Sequence, residues 1–402
     1  MRTLQLLAIA MILLFISFNG DAQPVLETGN GKLMPAEWID KDTGHKIMRI
    51  TTVKGDNRSF YFHNNPFIGD EMVFYHSDST GRQLYAVNLT SGSTRSLTDK
   101  KDMNGEIVAP RSKQVFFQVS DSVFAVDIKK NRTRLIYIFP PDFKASVSTI
   151  NADETILAGR YSSGERERAI LKEYPSKGQY FDKIFDAKIP NTLFTIDIKT
   201  GEMRKIYTEN TWIGHVQFSP EEPALLMFCH EGPWHKVDRI WTIDVGTGAV
   251  RLVHKRSVAM EIAGHEFFSA DGKTIWYDLQ IPRSERFYLG GTDVKTLEER
   301  KYSIMRNEWS IHFNISGDGK LFCGDGGDSR QVARAADGRW IYLFRLVKDR
   351  LISEKLVNMK FHDYQLEPNV HFSPDGQWII FRANFEGRTE IYAVSVAKSK
   401  EL

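Results

Sequence analysis

The sequence predicts an all-β chain folded as a seven-bladed β-propeller, its ring closed by an N-terminal strand that completes the last blade. Three observations lead there. A short turn motif recurs along the chain, most copies are followed by a second hairpin, and one strand-like segment near the N terminus has no partner of its own. Four strands per repeat of ~40–60 residues is the pattern of propeller blades.

Residues 1–22 stand apart from that pattern. Arg2 gives a positive start, Leu6 to Phe18 is apolar except for Ser17, and Gly20 and Ala22 place small residues at −3 and −1 before Gln23. This is the layout of a cleaved secretory signal peptide. The apolar run is shorter than the ~20 residues of a membrane span, and no later stretch is long enough to cross a bilayer. The expectation is an exported protein, periplasmic or secreted, with residues 23–402 forming one propeller domain.

The orphan strand comes next, at Lys46-Ile-Met-Arg-Ile-Thr-Thr. The clearest copies of the turn motif are Phe372-Ser-Pro-Asp-Gly and Phe268-Ser-Ala-Asp-Gly. Ile315-Ser-Gly-Asp-Gly and Phe218-Ser-Pro-Glu-Glu are looser, and weaker copies begin at Ile150, Val108 and Phe67. Asp-Gly between apolar runs is a strong hairpin signal. Second hairpins follow at Leu84-Tyr-Ala-Val-Asn, Leu193-Phe-Thr-Ile-Asp and Ile240-Trp-Thr-Ile-Asp. The last copy ends on its third strand, Ile391-Tyr-Ala-Val-Ser-Val. Pairing it with the orphan strand closes the ring and leaves no free edge. The polar stretch between Tyr161 and Pro190 reads as a surface insertion, and no helical periodicity is evident beyond the leader.

The repeat also predicts a site. Residues just before each innermost strand lie at the mouth of the central channel. Stepping three residues back from each anchor gives His215, His265 and His312 in the fourth to sixth copies, Asn369 in the seventh and Asn64 in the first. The third and second copies give Val147 and Gly105. Equivalent positions on a ring converge on its axis, so three of the 11 histidines are expected in one small volume. Imidazole is a metal ligand or a general base near neutral pH. Glu266, Glu308 and Glu367 stand close in sequence, and a mixed nitrogen and oxygen set suits Mn²⁺ or Ca²⁺. A second cluster, Cys229-His-Glu-Gly-Pro-Trp-His, brings His230 and His235 near Arg239. An arginine fork there matches a carboxylate, or else forms a structural salt bridge with Asp238 or a blade neighbour. Cys229 and Cys323 read as buried small residues. Ser59-Phe-Tyr-Phe-His63-Asn64-Asn offers aromatic faces to a sugar or simply packs. Gly324-Asp-Gly-Gly-Asp328 reads as a tight turn with two exposed acids, or as a minor cation site.

Composition excludes several classes. Charged residues are 26%, with 53 basic against 51 acidic and a net charge of +2, too balanced for electrostatic gripping of nucleic acid. Two cysteines give neither a disulfide framework nor a CxxC zinc site. No GxSxG elbow, P-loop or dinucleotide fingerprint is present.

Gly264-His-Glu-Phe-Phe, Gly214-His-Val-Gln-Phe and the Cys229-His-Glu-Gly-Pro-Trp-His stretch with Asp238-Arg-Ile-Trp resemble the oligogalacturonate lyase family of polysaccharide lyases, from about Asn30 to the C terminus. The resemblance implies a seven-bladed propeller that cleaves pectic oligouronides by β-elimination with a manganese ion. It implies His265 as the base, Arg239 as an assistant in catalysis and His312 as a metal ligand. The family's glutamine and His-Pro-His motif complete its metal site. Here Gln365 lies one residue out of step, and Glu367-Pro368-Asn369 replaces the motif. The expected division of labour is therefore His265 as base, with Arg239 and a cation on His312, Glu367 and Asn369 neutralising the substrate carboxylate. His215, His230, His235, His63 and Asn64 contact an acidic oligosaccharide substrate. Two rivals make different products: a non-catalytic, TolB-like periplasmic scaffold gives none, and a propeller hydrolase using metal-bound water gives no new double bond.

Overall fold

The computed structural model describes residues 23–399 apart from 32, 142, 143 and 163. The leader expected at 1–22 lies outside the described residues. Seven antiparallel blades follow one another around a ring. Blades 2 to 6 begin on inner strands Asn104–Ala109, Lys144–Ile150, Ile213–Phe218, Ile262–Phe268 and Phe313–Ile315, each followed outward by three more strands. A single parallel pair, Ser303 with Arg350, links the outer strands of blades 5 and 6.

The recurring Ser-x-Asp-Gly motif has one physical cause in all its clear copies. The hydroxyls of Ser269, Ser316 and Ser373 each donate to the aspartate two residues on, at 2.6, 2.7 and 2.5 Å. Each hydroxyl also accepts the amide that starts the next strand, at 3.0 Å in all three. The side chain thus closes the inner hairpin at the end of the ring away from the site.

Blade 7 is built from both ends of the chain, as expected. Its strands His371–Phe372, Trp378–Ala383 and Glu390–Lys398 are completed by His45–Arg49. Ile47, fully buried, pairs with Val394, and Arg49 with Tyr392. Two further short strands, Glu37–Asp40 and Val25–Leu26, extend this sheet outward, which the sequence pattern does not announce. Apolar clusters lie between successive blades all around the ring. Burying each Leu, Ile or Phe in them contributes ~1.5–3 kcal/mol, so the toroid is held by face-to-face packing of sheets.

Two departures matter for the site. The insertion in blade 3 is helical, with α1 (Glu165–Glu173) and α2 (Lys177–Ala187). Only Ile184 of the two helices is buried; α1 has no buried face, while Tyr180, Phe181, Ile184 and Phe185 of α2 form a short apolar stripe at helical spacing. α2 leans on the mouth of blade 4 through Phe181, whose ring centroid is 5.2 Å from that of Trp212 and 5.9 Å from that of Trp234. In blade 1 the inner strand is split into Asp56–Arg58 and Phe67–Ile68. The intervening segment plugs the channel: Phe62 donates its amide to Asn369 Oδ1 at 2.9 Å, and its carbonyl accepts from Asn314 Nδ2 at 2.8 Å. Tyr61 donates its amide to Glu106 at 2.6 Å, and His371 Nε2 lies 3.2 Å from the Tyr61 carbonyl.

Candidate functional site

The channel mouth is shaped by β-bulges at one register. In blades 2, 4 and 5, two inner-strand residues oppose one partner: Gly105 and Glu106, His215 and Val216, His265 and Glu266. His215, His265 and Asn369 share a left-handed backbone, with φ of 45°, 49° and 52°. Such a conformation is uncommon for residues with a side chain and concentrates where function holds it. A bulge re-aims its side chain off the sheet, here toward the axis. The expected convergence follows. The rings of His265 and His312 have centroids 4.9 Å apart, and Phe62 of the plug stacks on His312 at 4.6 Å. Tyr61 reaches His312 at 5.1 Å and His215 at 5.8 Å.

Each imidazole is oriented by an acid. His265 Nδ1 lies 2.9 Å from Asp278 Oδ1, and its Nε2 makes no hydrogen bond among the described residues. Burial lowers the His265 pKa, but the Asp278 hydrogen bond and charge outweigh it and leave it raised above 6.5. His312, fully buried, places Nδ1 2.7 Å from Asp325 Oδ2. Asp325 also accepts the amides of His312 and Asn369, at 2.8 and 3.1 Å. Burial pushes the Asp325 carboxyl up to about 7 against these two amides; when ionised it accepts the His312 Nδ1 hydrogen and leaves the lone pair on Nε2. That Nε2 is buried without a hydrogen-bond partner, 3.7 Å from Glu367 Oε2. Both acids lie 13 residues after their histidine. This spacing is the signal by which sequence reading finds Asp278 and Asp325, neither of which was assigned above. Asp325 and Asp328 are both buried, not exposed acids of a turn, because the loop carrying them folds under the mouth.

Of the two placements expected for Arg239, the structure shows the salt bridge with blade neighbours: a buried clamp, not a free fork. Nε donates to Glu266 Oε2 at 3.0 Å and Nη1 to Glu231 Oε2 at 2.9 Å, with Nη2 3.5 Å from an oxygen of each. Asp238, the alternative partner, pairs with Arg256 instead. Burial opposes the charges of Glu231 and Glu266, yet Arg239 and His215 override it and hold both carboxyls down at about 2. His215 sits between the same acids, 3.4 and 3.5 Å away, and burial lowers its pKa. Gly214 and Gly264 make room for this: a Cβ at Gly214 would stand 2.8 Å from Glu231, and one at Gly264 3.0 Å from Asp278. With one guanidinium against two carboxylates, the clamp adds no net positive charge to the floor.

Other expected residues lie outside the cluster or are spent on the frame around it. His230 turns away, stacking on Trp241 at 4.9 Å with Nε2 3.0 Å from Glu209. His235 lies on the rim in the single helical turn Trp234–Lys236. Gln365 is exposed, in a turn where its amide bonds Asp363. Glu308 caps a turn through the Met305 amide and bonds Ser353. Asn369 is committed to the plug through Phe62 N–H and to the Glu367 carbonyl, so its amide is a brace. Asn64 likewise bonds Glu106 at 2.8 Å. His63 lies in the plug, its ring centroid 6.1 Å from that of His215. Among the described residues no three His, Cys, Asp or Glu side chains form a ready cation cage.

The plug and its supports set a pH dependence of stability. Burial lowers His63 to about 3, and His362 and His371 to about 4. Below pH 6.5 the unfolded chain takes up these protons while the folded chain does not. Stability therefore falls as pH drops from about 6.5 to 4, by ~1.4 kcal/mol per pH unit for each histidine. Thermal unfolding followed across this window should show the midpoint dropping steeply toward pH 4; a flat profile contradicts the burial of these rings.

Comparison with known proteins adds the following. The family model described as oligogalacturonate lyase matches residues 31–400. An oligogalacturonide lyase of Pectobacterium atrosepticum is 26% identical over 379 residues, covering 90% of this chain and 95% of that one. An oligogalacturonate lyase of Dickeya dadantii is 25% identical over 378 residues, with the same coverage. The solved structure of an oligogalacturonate lyase in complex with manganese superposes with a TM-score of 0.79 at 24% identity, covering 90% of this chain and 96% of the other.

Proposed function

The chain belongs to the oligogalacturonate lyase family, and from that premise we propose that it cleaves short uronic-acid oligosaccharides by β-elimination at the channel mouth. The observation that carries the reading is His265. A strained bulge presents it, Asp278 fixes its tautomer, and its Nε2 is left as a proton acceptor. The C5 proton of a uronide is acidic only through the carboxylate beside it, so elimination needs a base and positive charge near that carboxylate. His265 takes the C5 proton and the C4 oxygen leaves. Tyr61, whose phenol is raised well above 10 by burial and the surrounding carboxylates, keeps its proton beside His215 and His312. Arg239 acts through others, as a positioning residue that locks Glu231 and Glu266 around His215.

Because the clamp is neutralised, a bound divalent cation is the natural source of charge for the substrate carboxylate, and manganese is the ion in the similar solved structure. The donors fit one in part: His312 Nε2, buried and unpartnered, and the half-exposed Glu367 carboxylate would hold it. Such an ion supplies Lewis-acid stabilisation of the enolate-like charge. Asn369 and Gln365 are not assigned to it, for the reasons of geometry given above.

A panel of acidic oligosaccharides, read with and without chelator, tests the proposal. Ultraviolet absorbance from a conjugated unsaturated uronide is expected, reduced by chelation. New reducing ends without that absorbance would point to a hydrolase, and no product at all to a scaffold. Export through the leader at 1–22 belongs to the same proposal, since a pectic oligomer would be met outside the cytoplasm.

A further inference from the structure

At the ring position where blades 4 to 6 present histidines, blade 2 has Gly105 and blade 3 has Val147. Gly105 sits in its bulge with φ 102° and contributes no side chain. Beside His215 and Tyr61 the mouth therefore opens into a cavity of about 370 Å³, within the ~300–1,000 Å³ of small-ligand sites. Its wall carries a preorganised cation. Arg82 donates Nε to the Met103 carbonyl at 2.9 Å and Nη2 to Asn104 Oδ1. Its guanidinium lies over the Tyr75 ring, 5.1 Å from the centroid. Tyr75 is pinned in turn, its hydroxyl donating to the Gly105 carbonyl at 3.0 Å. Unlike Arg239, Arg82 has no carboxylate in ion-pair contact among the described residues, and its Nη1 makes no hydrogen bond there. Glu106, the carboxylate on the same wall, spends Oε2 on Tyr61 N–H and Asn64 Nδ2.

We propose that this cavity is a second sugar subsite, in which Arg82 receives the carboxylate of the uronide next to the one that reacts. The inference rests on the lyase reading and extends it. A stacked, half-fixed guanidinium without an ion-pair partner among the described residues matches a planar carboxylate, and the Tyr61 ring at the cavity wall suits the apolar face of a pyranose. The gap in the ring of histidines thus gives the substrate chain its direction across the mouth, from blades 5 and 6 toward blades 1 and 2.

Steady-state kinetics of the full chain on a galacturonate trisaccharide test this, comparing wild type, Arg82→Gln and Arg82→Lys. Losing a charge-assisted hydrogen bond should raise KM about 10–100-fold in Arg82→Gln, with kcat within about threefold, and Arg82→Lys should fall between. The thermal midpoint of each variant is read alongside, because a merely structural role would lower that midpoint and kcat together. An Arg82→Gln enzyme with wild-type KM, or one whose loss is all in kcat, overturns the subsite while leaving the lyase reading in place. A wild-type enzyme that forms no unsaturated product from any uronide overturns both.

Discussion

Replacing His265 with alanine should lower kcat on an oligouronide by about 10²–10⁴-fold, the usual worth of a positioned general base, while the fold persists. The ring is half-exposed at the mouth and makes one hydrogen bond, to Asp278, so little packing is lost with it. His215→Ala serves as the comparison, since that ring also sits at the bulge register but between two acids held by Arg239. If His265→Ala kept near-wild-type turnover, the base would have to be another group. The surviving absorbance assay, repeated on His215→Ala, would then identify it.

The second large effect is on Arg239. Arg239→Ala leaves Glu231 and Glu266 buried side by side without a counter-charge. Breaking a buried ion pair in this way costs about 3–5 kcal/mol, a large share of any domain's stability. Urea unfolding should show that loss. Changing all three residues together, Arg239→Met with Glu231→Gln and Glu266→Gln, should recover most of it, because no charge is then stranded. A cost below about 1 kcal/mol for Arg239→Ala would mean that the acids are solvated and the clamp is not buried as described.

Much of this was legible in sequence because a propeller is a rotational repeat. One turn motif per blade reveals the ring, and a fixed step back from each anchor lands His215, His265 and His312 on one register. Their convergence follows from symmetry. What a repeat cannot reveal is chemistry assembled from different blades. Arg239 reads in its own motif as either a fork or half of a salt bridge, and its actual partners, Glu231 of its own blade and Glu266 of the next, are not named there. Asn369 occupies the right register, yet its amide is spent on the plug. The plug itself is a departure from the repeat, a broken inner strand, so periodicity is silent about Tyr61 and Phe62. Helix α1 escapes notice because none of it is buried, and α2 because its stripe of Phe181, Ile184 and Phe185 spans little more than one turn. The most useful overlooked regularity is the 13-residue step from histidine to acid in blades 5 and 6. In blade 7 the same step from Asn369 reaches Arg382, which donates to the Glu367 and Ser59 carbonyls at 2.7 and 2.8 Å.

The central claim is that the imidazole of His265 removes a proton from carbon. An oligogalacturonide carrying deuterium at C5 tests it directly, with product analysed by mass spectrometry as absorbance develops. The account predicts that each unsaturated end formed has lost its deuterium to solvent, and that His265→Ala suppresses label loss and absorbance together. Cleavage products that keep the C5 deuterium would contradict it.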